Sequence, residues 1–318
     1  MSGYGMRGHV MFQVQTVWNG SLTTSMEAVA VTESNLVKGI EQLPESGMYG
    51  RFAESPYHDG FQTFGGEVTQ EASPVGLGHM ARAVIGLTST TTGAGSNVHL
   101  FKPAQSDFSA QAALSPLTIE QHLDVGSAGI FTDMIGNTLA FNIANGELLT
   151  LTTGFVGGGF TRKAAGSPTF SAAKPFKWDQ GSCSFNGAAI TDLLDLSISF
   201  NNNLEAKYTL VNCSVPHKIK RTGFQTIELT GSMIFQSHSY WQNFEAQSEI
   251  QFVANFVGAQ SPNAVAFDFP ALRLKSYEPT IAGPGLIEAS FTAEAMYWSN
   301  SATAMALTLT NTVMYPPY

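Results

Sequence analysis

Ile227-Glu228-Leu229-Thr230-Gly231-Ser232-Met233-Ile234-Phe235 decides the fold class. Ile227, Leu229, Gly231, Met233 and Phe235 fall on one side of an extended chain, and Glu228, Thr230 and Ser232 on the other. A period of two puts apolar side chains against a core and polar ones in water, the pattern of a half-buried β-strand. Leu194, Leu196, Ile198 and Phe200 repeat it around Asp195, Ser197 and Ser199, and so do Met305, Leu307 and Leu309 around Ala306 and Thr308. Weaker versions run through Phe12-Val14-Trp18, Leu149-Leu151-Thr153 and Val265-Phe267-Phe269. Gly, Asn and Pro separate these segments, so the chain reads as mainly β with antiparallel strands.

Two short helices interrupt the strands. Ser73 suits a helix N-cap, Pro74 the first helical position and Gly86 the end, with Leu77, Met80, Ala81 and Val84 as the apolar stripe. A second helix is expected near Ser237 to Gln247, with Tyr240, Trp241 and Phe244 toward the core. The chain also repeats itself. Gly60-Phe61-Gln62-Thr63 returns as Gly223-Phe224-Gln225-Thr226, and the same offset carries Pro74, where the first helix begins, to Ser237, where the second begins. Leu139 to Phe155 matches Leu272 to Ala293 by pattern at a shorter offset, which implies about 30 extra residues in the first copy, assigned to a low-complexity insertion near 88–113. The expected organisation is therefore two related units, residues 1–165 and 166–318, joined near Gly157 to Pro175.

The 318 residues are 43% hydrophobic but only 12% charged, about half the share of an ordinary soluble domain. A polar, weakly charged surface protects a free monomer poorly against association and suits a polymer subunit. The net charge of -9 opposes electrostatic capture of nucleic acid, and it is uneven: residues 1–161 hold 13 acids and 5 bases, residues 162–318 hold 11 and 10. Cys183 and Cys213 are too few for a disulfide framework, and whether they pair stays open. The start, Met1-Ser2-Gly3-Tyr4-Gly5, does not read as a signal peptide, and no apolar run reaches membrane-spanning length, so synthesis in the cytoplasm and no membrane partner are expected.

Catalytic and cofactor signals are missing. There is no GxSxG elbow and no HExxH, and the seven histidines are scattered singly. His79 and His238 read as surface or capping residues. His122, Asp124 and Glu120 share a strand edge that reads as a solvated face before it reads as a metal site. Gly154 to Lys163 superficially resembles a phosphate cradle but lacks the GKS or GKT that enters a helix, so it reads as a junction. No catalytic residue, metal or cofactor is assigned, and the chain is expected not to be an enzyme.

The order of several loose motifs resembles the larger tail tube proteins of long-tailed bacteriophages. These are the Gly/Tyr-rich start, Gly60 to Val68 running into the Pro74–Gly86 helix, Phe176-Lys177-Trp178-Asp179-Gln180-Gly181, Gly187-Ala188-Ala189-Ile190, Phe269-Pro270-Ala271-Leu272-Arg273-Leu274, Gly283-Pro284-Gly285-Leu286, and Ala306 to Thr312. The resemblance implies a structural protein: two tail-tube-type β-sandwich units, each with one short helix, closing into a ring-shaped β-barrel on oligomerisation. It implies rings, trimeric with pseudo-sixfold symmetry or hexameric, stacked into a tube that carries double-stranded DNA out of the virion without binding it specifically. The implied partners are further copies of the chain, a tape measure protein, and tail tip and head-to-tail connector proteins. The tube of a phage-like injection device is an alternative reading. A carbohydrate-binding β-sandwich is a lesser one, with Trp178-Asp179 or Tyr297-Trp298 as the only platforms, which read better as core or interface aromatics.

Two long connections, Gln42 to Gly60 and Glu205 to Gly223, carry the candidate subunit contacts. These are Glu45, Tyr49, Arg51, Glu54, Tyr57 and Asp59 in the first, and Glu205, Lys207, Lys218, Lys220 and Arg221 in the second, an acidic loop facing a basic one. Glu67, Glu71, Glu120, Asp124 and Glu147 are the candidate lumen acids, because a conduit for DNA needs repulsive or neutral walls.

Overall fold

The computed structural model describes residues 3–15, 18, 26–47, 50, 53, 57–105, 114, 116–210, 214–281 and 283–314. The chain runs through β1 (His9–Val14), β2 (Glu27–Val29), β3 (Glu33–Ser34), β4 (Val37–Pro44) and β5 (Tyr57–Glu71) into α1 (Pro74–Val84). A hairpin of β6 (Leu87–Gly93) and β7 (Ser96–Phe101) follows, then β8 (Leu117–His122), β9 (Ala128–Ala144), β10 (Thr150–Val156) and β11 (Gly159–Lys163). The second half has β12 (Gly181–Phe185), β13 (Ala188–Ile190), β14 (Leu193–Asn201), β15 (Leu204–Lys207), β16 (Lys218–Arg221) and β17 (Thr226–Ile234), then α2 (Ser239–Glu245). It ends with β18 (Ile250–Val257), β19 (Ala264–Thr280), β20 (Glu288–Ala295) and β21 (Ala306–Asn311).

Both helices form where the sequence puts them. Ser73 accepts a hydrogen bond from the Gly76 amide at 3.1 Å, Pro74 opens the first turn, and Gly86 follows the end at φ +98°. The burial differs from a single stripe: α1 is enclosed on all sides, His79 and Arg82 included. His79 lies 2.5 Å from Glu27 and holds that carboxyl below its usual range, so the surface reading of His79 is corrected. Gly136 of β9 admits this helix, since a Cβ there would collide with Val84 and sit 2.9 Å from the Ala83 carbonyl.

Eight strand positions form one continuous antiparallel series. β3 and β4 share the first, and β5, β10, β9, β14, β17, β20 and β19 follow. The helices and the remaining strands other than the separate β15–β16 ribbon pack against one face of it. β9 and β19, each 17 residues long, turn the corner into the covering layer. The first half of β9 pairs with β8 and β11, and the first half of β19 with β18 and β21. The result is a β-sandwich whose main sheet is open at both ends.

Pairing registers recur along the series. Glu71↔Thr150 in one half has the counterpart Ile234↔Glu288 in the other. Leu117↔Met134 has the counterpart Ile250↔Leu272. The bulges recur too: Asn137 is the extra residue opposite Gly154/Phe155, and Lys275 the extra residue opposite Thr292/Ala293. Thr150 to Glu288, Met134 to Leu272 and Asn137 to Lys275 all span the same interval, whereas Glu71 to Ile234 spans a longer one and Leu117 to Ile250 does not. The change of offset thus arises before β8, where the first half carries β6–β7.

Residues 87–101 of the stretch expected as a low-complexity loop form a hairpin, with residues 106–113 outside the described set. It pairs with the last strand, β21, through Leu100↔Thr308 and Val98↔Thr310. His99 is buried there, between Thr90 Oγ1 at 2.9 Å on Nδ1 and Asn311 Oδ1 and the Val313 carbonyl on Nε2. Burial pushes its pKa below the ordinary 6.5. An unfolded chain then takes up this proton first, so the contribution is whole above pH 6.5 and is lost as pH falls below it. His99→Gln is expected to flatten the fall in stability as pH drops below 6.5, a fall to which one proton contributes at most about 1.4 kcal/mol per pH unit. Circular dichroism melts at several pH values check this; an unchanged slope would exclude His99 as its source.

Candidate functional site

The eight-position series leaves one face uncovered among the described residues, and alternation builds it. Where Leu196, Ile198 and Phe200 point into the core, Ser197 and Ser199 point out; where Leu229 points in, Glu228 and Thr230 point out. Hydroxyls and amides pair across strands on this side. Thr69 Oγ1 is 3.1 Å from Thr152 Oγ1, Ser197 Oγ donates to Asn142 Oδ1 at 2.5 Å, and Ser232 Oγ donates to Asp195.

Its charge is one-sided. Glu33, Glu67, Glu71, Asp195, Glu228, Glu278, Glu288 and Glu294 lie on it by register. Arg273 and Lys275 are the bases found there among the described residues. Lys275 Nζ sits 3.0 Å from Glu294 and 3.8 Å from Glu228, and this pairing raises its pKa. The bulge that adds Lys275 therefore adds a cation already held by two carboxylates. A polar, anionic face with its lysine neutralised offers phosphate little to hold.

Glu67 and Glu71 stand exposed on this face, and Glu147 is exposed in the β9–β10 turn at its end. Glu120 and Asp124 lie elsewhere. Glu120 is 3% exposed on β8, a central strand between β1 and β9, and accepts from His9 Nε2 at 3.2 Å and the Gly166 amide at 2.7 Å. It presents no charge to solvent, which corrects its reading as a solvated edge. Asp124, half-buried in the β8–β9 turn, accepts from the Tyr4 amide at 3.0 Å. No group of three metal-ligating side chains gathers among the described residues. In the Gly154–Lys163 segment, the amides of Gly157 and Gly158 donate to the carbonyls of Phe64 and Thr132, so they are spent on the sheet.

The two long connections are β-ribbons for much of their length. β4–β5 forms one arm and β15–β16 the other. Glu45, Tyr57 and Asp59 are exposed on the first, while Tyr49, Arg51 and Glu54 lie outside the described residues. On the second, Glu205 and Lys207 pair with each other at 2.7 Å, and Lys218 is exposed beside Lys220. Arg221 is committed inside the chain: its guanidinium donates to Asn202 Oδ1 at 3.1 Å and to the Ala104 and Asn202 carbonyls. Arg221 therefore serves the inside of the chain rather than the arm's surface.

Sequence reasoning assigned no role to Asn202. It is fully buried, and Nδ2 donates to the carbonyls of Val84, in the last turn of α1, at 2.7 Å and of Gly136 at 3.1 Å. Its Oδ1 accepts from Arg221 and from Gln225 Nε2 at 2.9 Å. The thiol of Cys183 is free and pushed up to about 11 by burial, which makes it a poor nucleophile; Cys213 lies outside the described residues. Trp178 and Tyr297 are about half exposed rather than core, and the carboxylate beside Trp178, Asp179, is held by Lys177 at 2.8 Å.

The fold is a β-sandwich with one broad polar sheet face. Residues 19–295 match the family described as phage tail tube protein, and the chain belongs to that family of virion structural subunits. No curated protein matches it. No helix among the described residues is long and apolar enough to cross a membrane.

Proposed function

We propose that this chain is the repeating wall subunit of a phage tail tube that copies build by closing into stacked rings, with the uncovered sheet face turned to the lumen. The observation that carries this is the pairing of an open-ended sheet with a face of hydroxyls, amides and carboxylates. Sheets that close on themselves need free edges, and a DNA conduit needs walls that do not hold phosphate.

The repeated registers support two related units, residues 1–165 and 166–318, each supplying four positions of the series. A chain that carries two units favours the three-subunit, pseudo-sixfold ring over the hexamer. Double-stranded DNA would pass without specific binding. The tape measure, tail tip and head-to-tail connector proteins would be the neighbours of such a tube in the virion, and assembly would begin in the host cytoplasm.

Negative-stain microscopy of the purified chain tests this, with hollow filaments as the expected result. Converting Glu67 and Glu71 together to lysine should leave tubes of normal width but slow DNA ejection, more strongly at low salt because each lysine recruits phosphate by counterion release. Ejection at the unaltered rate and without salt dependence would sink the lumen assignment.

A further inference from the structure

One joint inside the chain points to another outside it. β9 pairs with β14 through Ile143↔Leu196, Ala140↔Ser199 and Leu139↔Phe200. By bulge position and register, β19 holds the place of β9 in the second half. β3 and β4 hold the place of β14 in the first half, because Ser34↔Val68 and Val37↔Gly65 repeat Leu196↔Gly231 and Ser199↔Glu228. Yet residues 276–280 of β19 pair only with β20 among the described residues, and residues 33–34 and 37–38 only with β5.

We propose that these two edges bind each other between copies. On the reading that the chain self-assembles, β19 of one subunit adds antiparallel to β3–β4 of the next in the register Ser34↔Ile281, Val37↔Glu278 and Lys38↔Tyr277. Backbone polarity fits. The Asn35 amide donates to Glu67 at 3.0 Å, so Ser34 and Leu36 aim their amides and carbonyls at the open edge. In the internal joint the Asn145 amide donates to Leu194 at 3.1 Å, so the corresponding Leu196 and Ile198 are the residues aimed at β9. The faces fit as well: Val37 and Glu278 are exposed, whereas Leu36 and Tyr277 are buried on the core side. Pro279 brings no amide, so this joint has one donor fewer than the internal one, and proline belongs on just such an edge.

The repeated Gly-Phe-Gln-Thr supplies an independent observation. In the first copy, Phe61 stacks 4.4 Å from Tyr208 of the β15–β16 arm, whose hydroxyl donates to the Gln62 carbonyl at 2.8 Å. The second half's arm thus seats on the first half's motif. Phe224 in the second motif is 93% exposed. The β4–β5 arm of the next copy, with Ile40 and Leu43 half exposed, is its matching occupant.

Paired cysteines test the register in a Cys183→Ser, Cys213→Ser background. Val37→Cys with Glu278→Cys makes a non-hydrogen-bonded pair with Cα atoms about 4.5 Å apart, within disulfide reach. Oxidation of assembled material should give a ladder of covalent oligomers, at least tenfold stronger than Val37→Cys with Thr280→Cys, a diagonal pair roughly 7–8 Å apart. Lys38→Pro removes an outward amide and keeps the β5 pairing, so a folded subunit that no longer assembles is expected. Hollow tubes without the ladder, or unimpaired assembly of Lys38→Pro, overturn the joint and leave the tube reading standing. A chain that stays monomeric at assembly concentrations overturns both.

Discussion

Asn202→Leu is expected to destabilise the unassembled subunit by on the order of 3 kcal/mol, and to lower its melting temperature by roughly 5–10 °C. The side chain keeps its size but loses every polar atom. Two buried carbonyls, at Val84 and Gly136, lose this donor, and Arg221 and Gln225 each lose one of their acceptors and keep the Ala104 carbonyl. Val84 lies in the last turn of α1, where carbonyls have no partner within the helix, so a residue from the other half of the chain caps it. Thermal and urea unfolding measure the effect. A loss below about 1 kcal/mol would mean that water replaces the amide, and the network is not structural.

Phe141→Ala should cost about 3–5 kcal/mol, the range for emptying a buried aromatic site. Phe141 is 2% exposed, pairs with Ile198 across the β9–β14 joint, and meets Phe267 of β19 edge-on with centroids 4.7 Å apart. The cavity would open between strands from both halves, where neither can collapse without moving the other. A shift in urea midpoint with an unchanged m-value is expected. A fall in m-value instead would mean that the halves unfold separately.

Much of the architecture was legible because the main sheet has one wet face and one dry face. Leu194 to Phe200 and Ile227 to Met233 alternate, and both are strands in the observed positions. The first half of β9 does not alternate, since the corner buries both of its faces, and no period marks it. The same cause misled the reading of Glu120: a polar residue in a central strand looks like one at an edge until its neighbours are known. His79 depends on Glu27, and Asn202 on Val84 and Gly136, partners that only the folded chain brings close. Glu67 and Glu71 came from the acidic excess of the first half, which does not by itself separate them from buried Glu120. That the bulge would place Lys275 between Glu228 and Glu294 was not readable, because a bulge changes a register without changing the composition.

The pairing of β7 with β21 has a consequence for synthesis. Residues 97–101 wait for residues 307–311, so β7 cannot complete its pairing until β21 has left the ribosome. Pairings this remote close slowly, because the loop entropy must be spent before any contact repays it. A nascent chain that has not yet reached β21 leaves the β6–β7 hairpin with an open edge, the kind of unpaired strand that invites contact with another chain.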